Sequence, residues 1–299
     1  MASRARTVAV ALGLTAGVIL VFLVTVWVLV AVLEDGAFPG GARLAVVEVE
    51  GIIVNGDDVV RDLKEHADNP AVRAVVLRVN SPGGVVGPTQ EIFSAVQRVR
   101  RGGKPVVASL GAVAASGGYY IAAAADQIYA NPGTLTGSIG VVMQLANVEG
   151  LLKKVGVDYV VIKAGAFKDV GNFARPMSAE ERRILQALLD DVYGQFVNAV
   201  AEGRKLERDA VLRFADGRIY SGQQAQALRM VDELGGFEDA IDAAAKLGGL
   251  PERPKVVLPR RRFSITDLLR NQVGLATPAA ALASLAALPA LKTPLYLMD

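Results

Sequence analysis

Ser116 stands in the segment Ala114-Ala115-Ser116-Gly117-Gly118-Tyr119-Tyr120, and Lys168 follows fifty-two positions later in Ala166-Phe167-Lys168-Asp169. The chain has no cysteine and a single histidine, which removes thiol catalysis, disulfides and zinc–thiolate sites together. A serine that follows an apolar stretch and opens a glycine-flanked helix, with a lysine in reach, leaves a Ser–Lys dyad as the coherent nucleophile–base pair. The lone histidine, His66, lies in Lys64-Glu65-His66-Ala67-Asp68-Asn69-Pro70, a polar helix end that reads as a solvated surface position.

Each partner in such a dyad carries a physical requirement. Ser116 alone reads equally as a helix N-cap, a role serine fills routinely. Gly117 and Gly118, however, are poor helix formers, costing about 1 kcal/mol each relative to Ala. They ask for a steric reason, such as close approach of a substrate. The helix N-terminus they open would stabilise negative charge developing beside Ser116, with the Gly117 N–H directed toward it. A lysine base must be neutral, so burial has to lower its ordinary pKa of ~10.4 by roughly 2–4 units. Lys168, in Gly165-Ala166-Phe167-Lys168-Asp169-Val170-Gly171, has small and apolar neighbours, and Lys163 competes with it on sequence alone. Asp169 would raise the Lys168 pKa on contact and is expected to point elsewhere. The bland reading of Lys168 is a surface loop lysine.

Two further segments offer donors. Asn80-Ser81-Pro82-Gly83-Gly84-Val85 follows a buried strand pattern, and its glycines could turn backbone N–H groups outward to bind an oxyanion. The same residues also make an ordinary strand-to-helix turn. In Leu135-Thr136-Gly137-Ser138-Ile139-Gly140, Ser138 could hydrogen-bond a neutral lysine amine and orient it, or serve turn chemistry alone.

Positioning these residues takes an alternating α/β chain. Leu44–Val49, Ala71–Val79, Pro105–Leu110, Gln127–Ala130, Ile139–Met143 and Tyr159–Ile162 read as short strands. Asp57–Ala67, Thr89–Arg101, Gly117–Ala125 and Val148–Val155 read as the helices between them, so the fold class is α/β with a parallel sheet and crossover helices. Apolar runs such as Ala74-Val75-Val76-Leu77 predict burial on both sheet faces. After Ile162 the pattern turns helical. Ser178 caps one helix, with Glu180 and Glu181 in its first turn, Ser221 caps another, and Phe237–Leu247 forms the last. No internal repeat is evident.

Outside this core, Val8 to Leu33 is an uncharged apolar run of twenty-six residues, longer than the ~20 a helix needs to cross a bilayer. Arg4 and Arg6 precede it and Glu34 and Asp35 follow, which places the N-terminus in the cytoplasm and the rest outside. A long cleaved signal peptide is the competing reading, and both readings export the globular part. The expected organisation is a cytoplasmic N-terminus (1–7), a transmembrane anchor (8–33), a linker (34–43), one domain (44–250) and a C-terminal tail (251–299). The tail carries Arg260-Arg261-Arg262 and an Ala/Leu-rich stretch broken by Pro278, Pro289 and Pro294, read as a packing or oligomer-contact segment. The net charge of +2 over 299 residues, with no basic stripe, gives no signal for nucleic acid.

The motifs NSPGG (Asn80–Gly84), SGGYY (Ser116–Tyr120), TGSIGV (Thr136–Val141) and FKDVG (Phe167–Gly171) resemble the bacterial signal peptide peptidase A family, also called protease IV. YSGQQA (Tyr220–Ala225) and VDELGG (Val231–Gly236) are similar as well, so the resemblance runs from about Leu44 to Leu247. It implies a ClpP/crotonase-like fold and a membrane-anchored serine endopeptidase acting on cleaved signal peptides and other membrane-associated peptides, with no cofactor. Residue by residue, it implies Ser116 as nucleophile, Lys168 as general base, Ser138 holding the lysine amine, and the Gly83 and Gly117 N–H groups as the oxyanion hole. With one copy of each motif the chain resembles the short, single-unit form. That form implies a ring-shaped homo-oligomer, an octamer by resemblance, in which adjacent subunits support each dyad. The alternatives are a stomatin-partnered ClpP-fold protease with the same dyad, a crotonase-type acyl-CoA enzyme, and a non-catalytic peptide-binding scaffold.

Overall fold

The computed structural model describes residues 14–27, 41–259 and, for the backbone, 295–297. The chain divides into two units, Met1–Ala42 and Arg43–Asp299. In the first, residues 14–27 are helical, with exposed side chains. The remainder of the expected 8–33 span lies outside the described residues. Among the described residues no helix is long and apolar enough to cross a membrane.

The second unit is built on a nine-stranded sheet. Its strands are β1 (Arg43–Ile53), β2 (Val72–Val85), β3 (Val106–Ala115), β4 (Gln127–Ala130), β5 (Leu135–Gly137), β6 (Ile219–Ser221), β7 (Glu233–Leu234), β8 (Lys255–Val257) and β9 (Leu295–Leu297). The main path runs β6-β5-β3-β2-β1-β8. Its core pairs, β1 with β2 and β2 with β3, are parallel, which takes a crossover between the strands of each pair. The helices are α1 (Asp57–Asp68), α2 (Val86–Arg101), α3 (Gly117–Ala122), α4 (Glu149–Lys154), α5 (Ala179–Arg204), α6 (Arg208–Leu212), α7 (Gly222–Ala227) and α8 (Phe237–Leu247).

Side chains alternate across the central strands, and both faces are apolar. Ala45, Val47, Val75 and Leu77 join the larger core with residues of α1, α2, α3 and α5. Leu44, Val46, Ala74, Val76 and Val107 face α8 through Ala240, Ile241, Ala244 and Ala245. Burying each of the larger side chains stabilises the fold by about 1.5–3 kcal/mol.

β3 forks the sheet. Along one edge it first pairs with β4 (Val107–Leu110 against Gln127–Ala130), then with β5 (Val113–Ala115 against Leu135–Gly137). This fork ends β3 at Ser116 and β5 at Ser138, side by side.

Several expected elements differ. Residues 80–85 are not a turn: they continue β2, pairing with β1 through Ile52↔Gly83 and Ile53↔Gly84. Residues 139–143 do not form a strand beyond a bridge at Val142, and the sheet takes Leu135–Gly137 instead. Residues 159–162 form no strand among the described residues and are exposed. Within the expected tail, β8 adds an edge strand to β1. Most of the Ala/Leu-rich stretch lies outside the described residues.

Candidate active site

Ser116 sits at the junction where β3 becomes α3, with φ 51° and ψ −118°. A residue with a side chain seldom occupies that region, and strain of this kind is a mark of functional turns. Its backbone is fixed on both sides: the Ser116 N–H donates to the Gly137 carbonyl (2.8 Å), and the Ser116 carbonyl accepts from Tyr120 N–H (2.8 Å). The side chain does not cap the helix, which overturns the N-cap reading. It is fully buried, and its hydroxyl has no hydrogen-bond partner among the described residues. An unsatisfied buried hydroxyl costs free energy and calls for an explanation in function.

The steric reason for Gly117 and Gly118 is the chain itself. A Cβ on Gly117 would lie 3.0 Å from Thr89 Oγ1 and 3.2 Å from both Gly83 Cα and Gly84 N. One on Gly118 would meet the Ser81 carbonyl at 2.7 Å. The absent side chains let α3 press against the Ser81–Gly84 stretch, bringing the two glycine-bearing segments together beside Ser116. Thr89, which sequence reasoning missed, backs this contact from α2, where its hydroxyl donates to the Val85 carbonyl (2.8 Å). α3 is anchored from below as well. The buried Tyr119 hydroxyl donates to the Met230 carbonyl (3.0 Å), and burial pushes its pKa up.

Gly83 adopts φ 106°, open to glycine alone among common residues. Its N–H donates to the Ser81 hydroxyl (3.1 Å). The same stretch accepts a further strand, since β9 pairs with it antiparallel through Gly83↔Leu297, Gly84↔Tyr296 and Val85↔Leu295. The backbone beside Ser116 therefore takes an extended chain by β-sheet addition.

Ser138 follows β5 with φ 50° and is buried, its N–H donating to the Arg218 carbonyl (2.8 Å). It lines a cavity of about 650 Å³ with Ile139, Asp190, Tyr193 and Asp216. Ser116, Gly117, Gly83 and Ser138 are thus gathered at one end of the sheet.

Lys168 donates no hydrogen bond to Ser116. It lies on an exposed loop, its N–H bonded to the Gly165 carbonyl (3.2 Å). The Ser116 hydroxyl has no partner among the described residues. Lys163, the competing lysine, is committed elsewhere: its ammonium donates to Asp169 Oδ1 and to the Ala166 carbonyl (2.7 Å). Asp169 accepts from Lys163 and from Arg175 Nε (3.0 Å). The bond from Lys163 and the Arg175 guanidinium hold its carboxyl down to about 2. Among the described residues no group of three or more His, Cys, Asp or Glu side chains is placed to hold a metal ion.

A strained, buried serine at a strand-to-helix junction, close to a glycine-bearing strand that accepts an extended chain, is an arrangement that an α/β serine peptidase can use. Comparison with known proteins narrows this further. Residues 98–250 match peptidase family S49. A Synechocystis sp. protein named as protease slr0021 is 49% identical, over 70% of this chain and 75% of its own length. An Enterococcus faecium protein named as signal peptide peptidase SppA is 37% identical, over 72% of this chain and 65% of its own length. Protease 4 of Salmonella typhi is 36% identical over 71% of this chain, which spans only 36% of that longer protein. The chain belongs to peptidase family S49, the family of signal peptide peptidase A, and is a serine protease. Its mostly parallel α/β sheet fits the ClpP-like fold expected from the motifs.

Proposed function

We propose that this protein is a membrane-anchored endopeptidase that hydrolyses cleaved signal peptides and other membrane-associated peptides with a Ser116–Lys168 dyad. The observation that carries the reading is the Ser116 hydroxyl, buried and unpartnered on a strained turn beside Gly83 and Gly117. An apolar peptide adds as an extended strand along Gly83–Val85, in the direction β9 takes, with its scissile carbonyl over Ser116. Neutral Lys168 takes the hydroxyl proton as Oγ attacks. The Gly117 N–H and the Gly83 N–H, released from Ser81 Oγ, bind the oxyanion. Lys168 then protonates the leaving amine, and water hydrolyses the acyl-enzyme.

Lys168 reaches a serine in this scheme through assembly. The loop that carries it belongs to an arm of exposed apolar residues, with Val160 79% and Ile162 97% exposed and Leu151, Val155, Val157 and Tyr159 beside them. An apolar surface of this extent is a contact surface, and a second copy of this chain, in a ring of the octameric kind, covers it and receives Lys168 at its own Ser116. The apolar N-terminal segment holds the assembly at the membrane, with the catalytic unit on the extracytoplasmic side.

The direct test is a fluorophosphonate probe and an apolar fluorogenic peptide. The wild-type chain in detergent is expected to label and to cleave, while Ser116→Ala does neither. Hydrolysis by a folded Ser116→Ala variant overturns the reading.

A further inference from the structure

Lys168 has a carboxylate as its immediate chain neighbour, the one kind of group a lysine base cannot tolerate in contact. The structure shows where that charge goes. Both oxygens of Asp169 are taken, Oδ1 by Lys163 and Oδ2 by Arg175 Nε at 3.0 Å. Arg175 is itself fixed, its guanidinium donating to both oxygens of Glu181, one at 2.9 Å, and to the Pro176 carbonyl at 3.1 Å. Glu181 is buried and closes the capping box of α5: its carboxylate accepts from the Ser178 N–H (2.8 Å), and its own N–H donates to Ser178 Oγ (3.1 Å). A chain of contacts thus runs from Lys163 through Asp169, Arg175 and Glu181 to the first turn of a 26-residue helix. The loop that carries Lys168 is tied to it on both sides.

We propose that Lys163 and Arg175 are positioning residues for the base: they engage the two oxygens of the Asp169 carboxylate and neutralise it, so that no uncompensated anion stands beside Lys168 in the chain. This inference rests on the reading of Lys168 as the base. The four groups of the clamp, two cations and two anions, leave no net charge beside the lysine. The other charged groups on the elements packed around the loop are the Glu149–Lys153 ion pair and Lys154 on α4, Asp158 after it, and Glu180, Arg182 and Arg183 on the first turns of α5. Losing Lys163 leaves one uncompensated anion next to Lys168, which favours the protonated amine.

The test is the pH profile of kcat/KM for the full-length chain in detergent with an apolar fluorogenic peptide. A base active only when neutral gives a rate that rises with pH through its pKa. Lys163→Gln, an exposed change, is expected to move that rise up by about one pH unit, a roughly tenfold loss at a fixed pH on the limb. Asp169→Asn is expected to move it down, and Lys163→Gln/Asp169→Asn to cancel the upward shift of the single variant. Lower activity in Lys163→Gln with the limb unmoved means a merely structural ion pair and overturns the inference, provided Lys168→Ala is inactive. An active Lys168→Ala overturns the base assignment, and this inference with it.

Discussion

At Gly117 a single methyl group separates positioning from stability. Gly117→Ala places a Cβ 3.2 Å from Gly83 Cα and 3.0 Å from Thr89 Oγ1, tight enough to push the Ser81–Gly84 stretch outward without demanding that it unfold. The expected result is a large fall in kcat with little change in KM, because in the proposed mechanism the displaced Gly83 N–H serves the transition state more than the bound peptide. Loss of one oxyanion donor costs about 10²–10³ in rate where it has been measured elsewhere. Gly118→Ala meets the Ser81 carbonyl at 2.7 Å, and there the expected loss is in thermal stability. Steady-state kinetics and a melting curve on both variants separate the two effects, and equal kinetic defects would count against Gly83 as a donor. The glycines were legible in the sequence as a steric demand, because glycine is costly in a helix. What fills the space was not, since the neighbour comes from a strand more than thirty residues earlier. The engagement of Gly83 by Ser81 was equally hidden, being a matter of hydroxyl rotamer.

The elements divide by whether their partners lie within this chain. β1, β2 and β3 were legible as apolar, largely Val-rich runs because each finds neighbours on both sides, and α5 because Ser178 and Glu181 announce its cap. Residues 159–162 have the same composition, yet among the described residues no strand pairs with them. Composition reports a preference for pairing and does not supply the partner. Two predictions belong here. β9 pairs with the backbone along which the proposed peptide substrate adds, and a tethered strand competes at an effective concentration on the order of mM. Deleting residues 295–299 is therefore expected to lower KM several-fold for an apolar peptide with kcat unchanged, and an unchanged KM would separate β9 from the substrate path. The second concerns acid. The Arg175 guanidinium and the bonds from Ser178 bring the Glu181 carboxyl from 4.5 to about 2. A depressed folded pKa stabilises above the unfolded value and loses that contribution as pH falls through the folded one. The α5 clamp is expected to hold above about pH 4.5 and to release toward pH 2. Glu181→Gln should flatten this acid dependence in a series of melting curves.

At the scale of the whole molecule, the folded chain encloses the proposed nucleophile but leaves the proposed base exposed. Ser116 is buried on a rigid sheet, held by backbone bonds on both sides, while Lys168 rides on an exposed arm whose apolar residues have no cover. Sheet and arm make sense together if copies of the chain exchange arms around a closed ring, since a head-to-tail contact repeats until it closes. Such an arrangement separates the two halves of each dyad onto different subunits, and this has a quantitative consequence. Ser116→Ala and Lys168→Ala are each expected to be inactive as pure assemblies. When the two are exchanged at equal ratio, a subunit that keeps Ser116 meets a neighbour that keeps Lys168 at about one site in four, so roughly a quarter of wild-type activity should return. A dyad built within one chain returns none, because no subunit in the mixture carries both residues. The measurement needs wild-type and tagged subunits to show that exchange has occurred. Once exchange is established, complete inactivity of the mixture overturns the shared site.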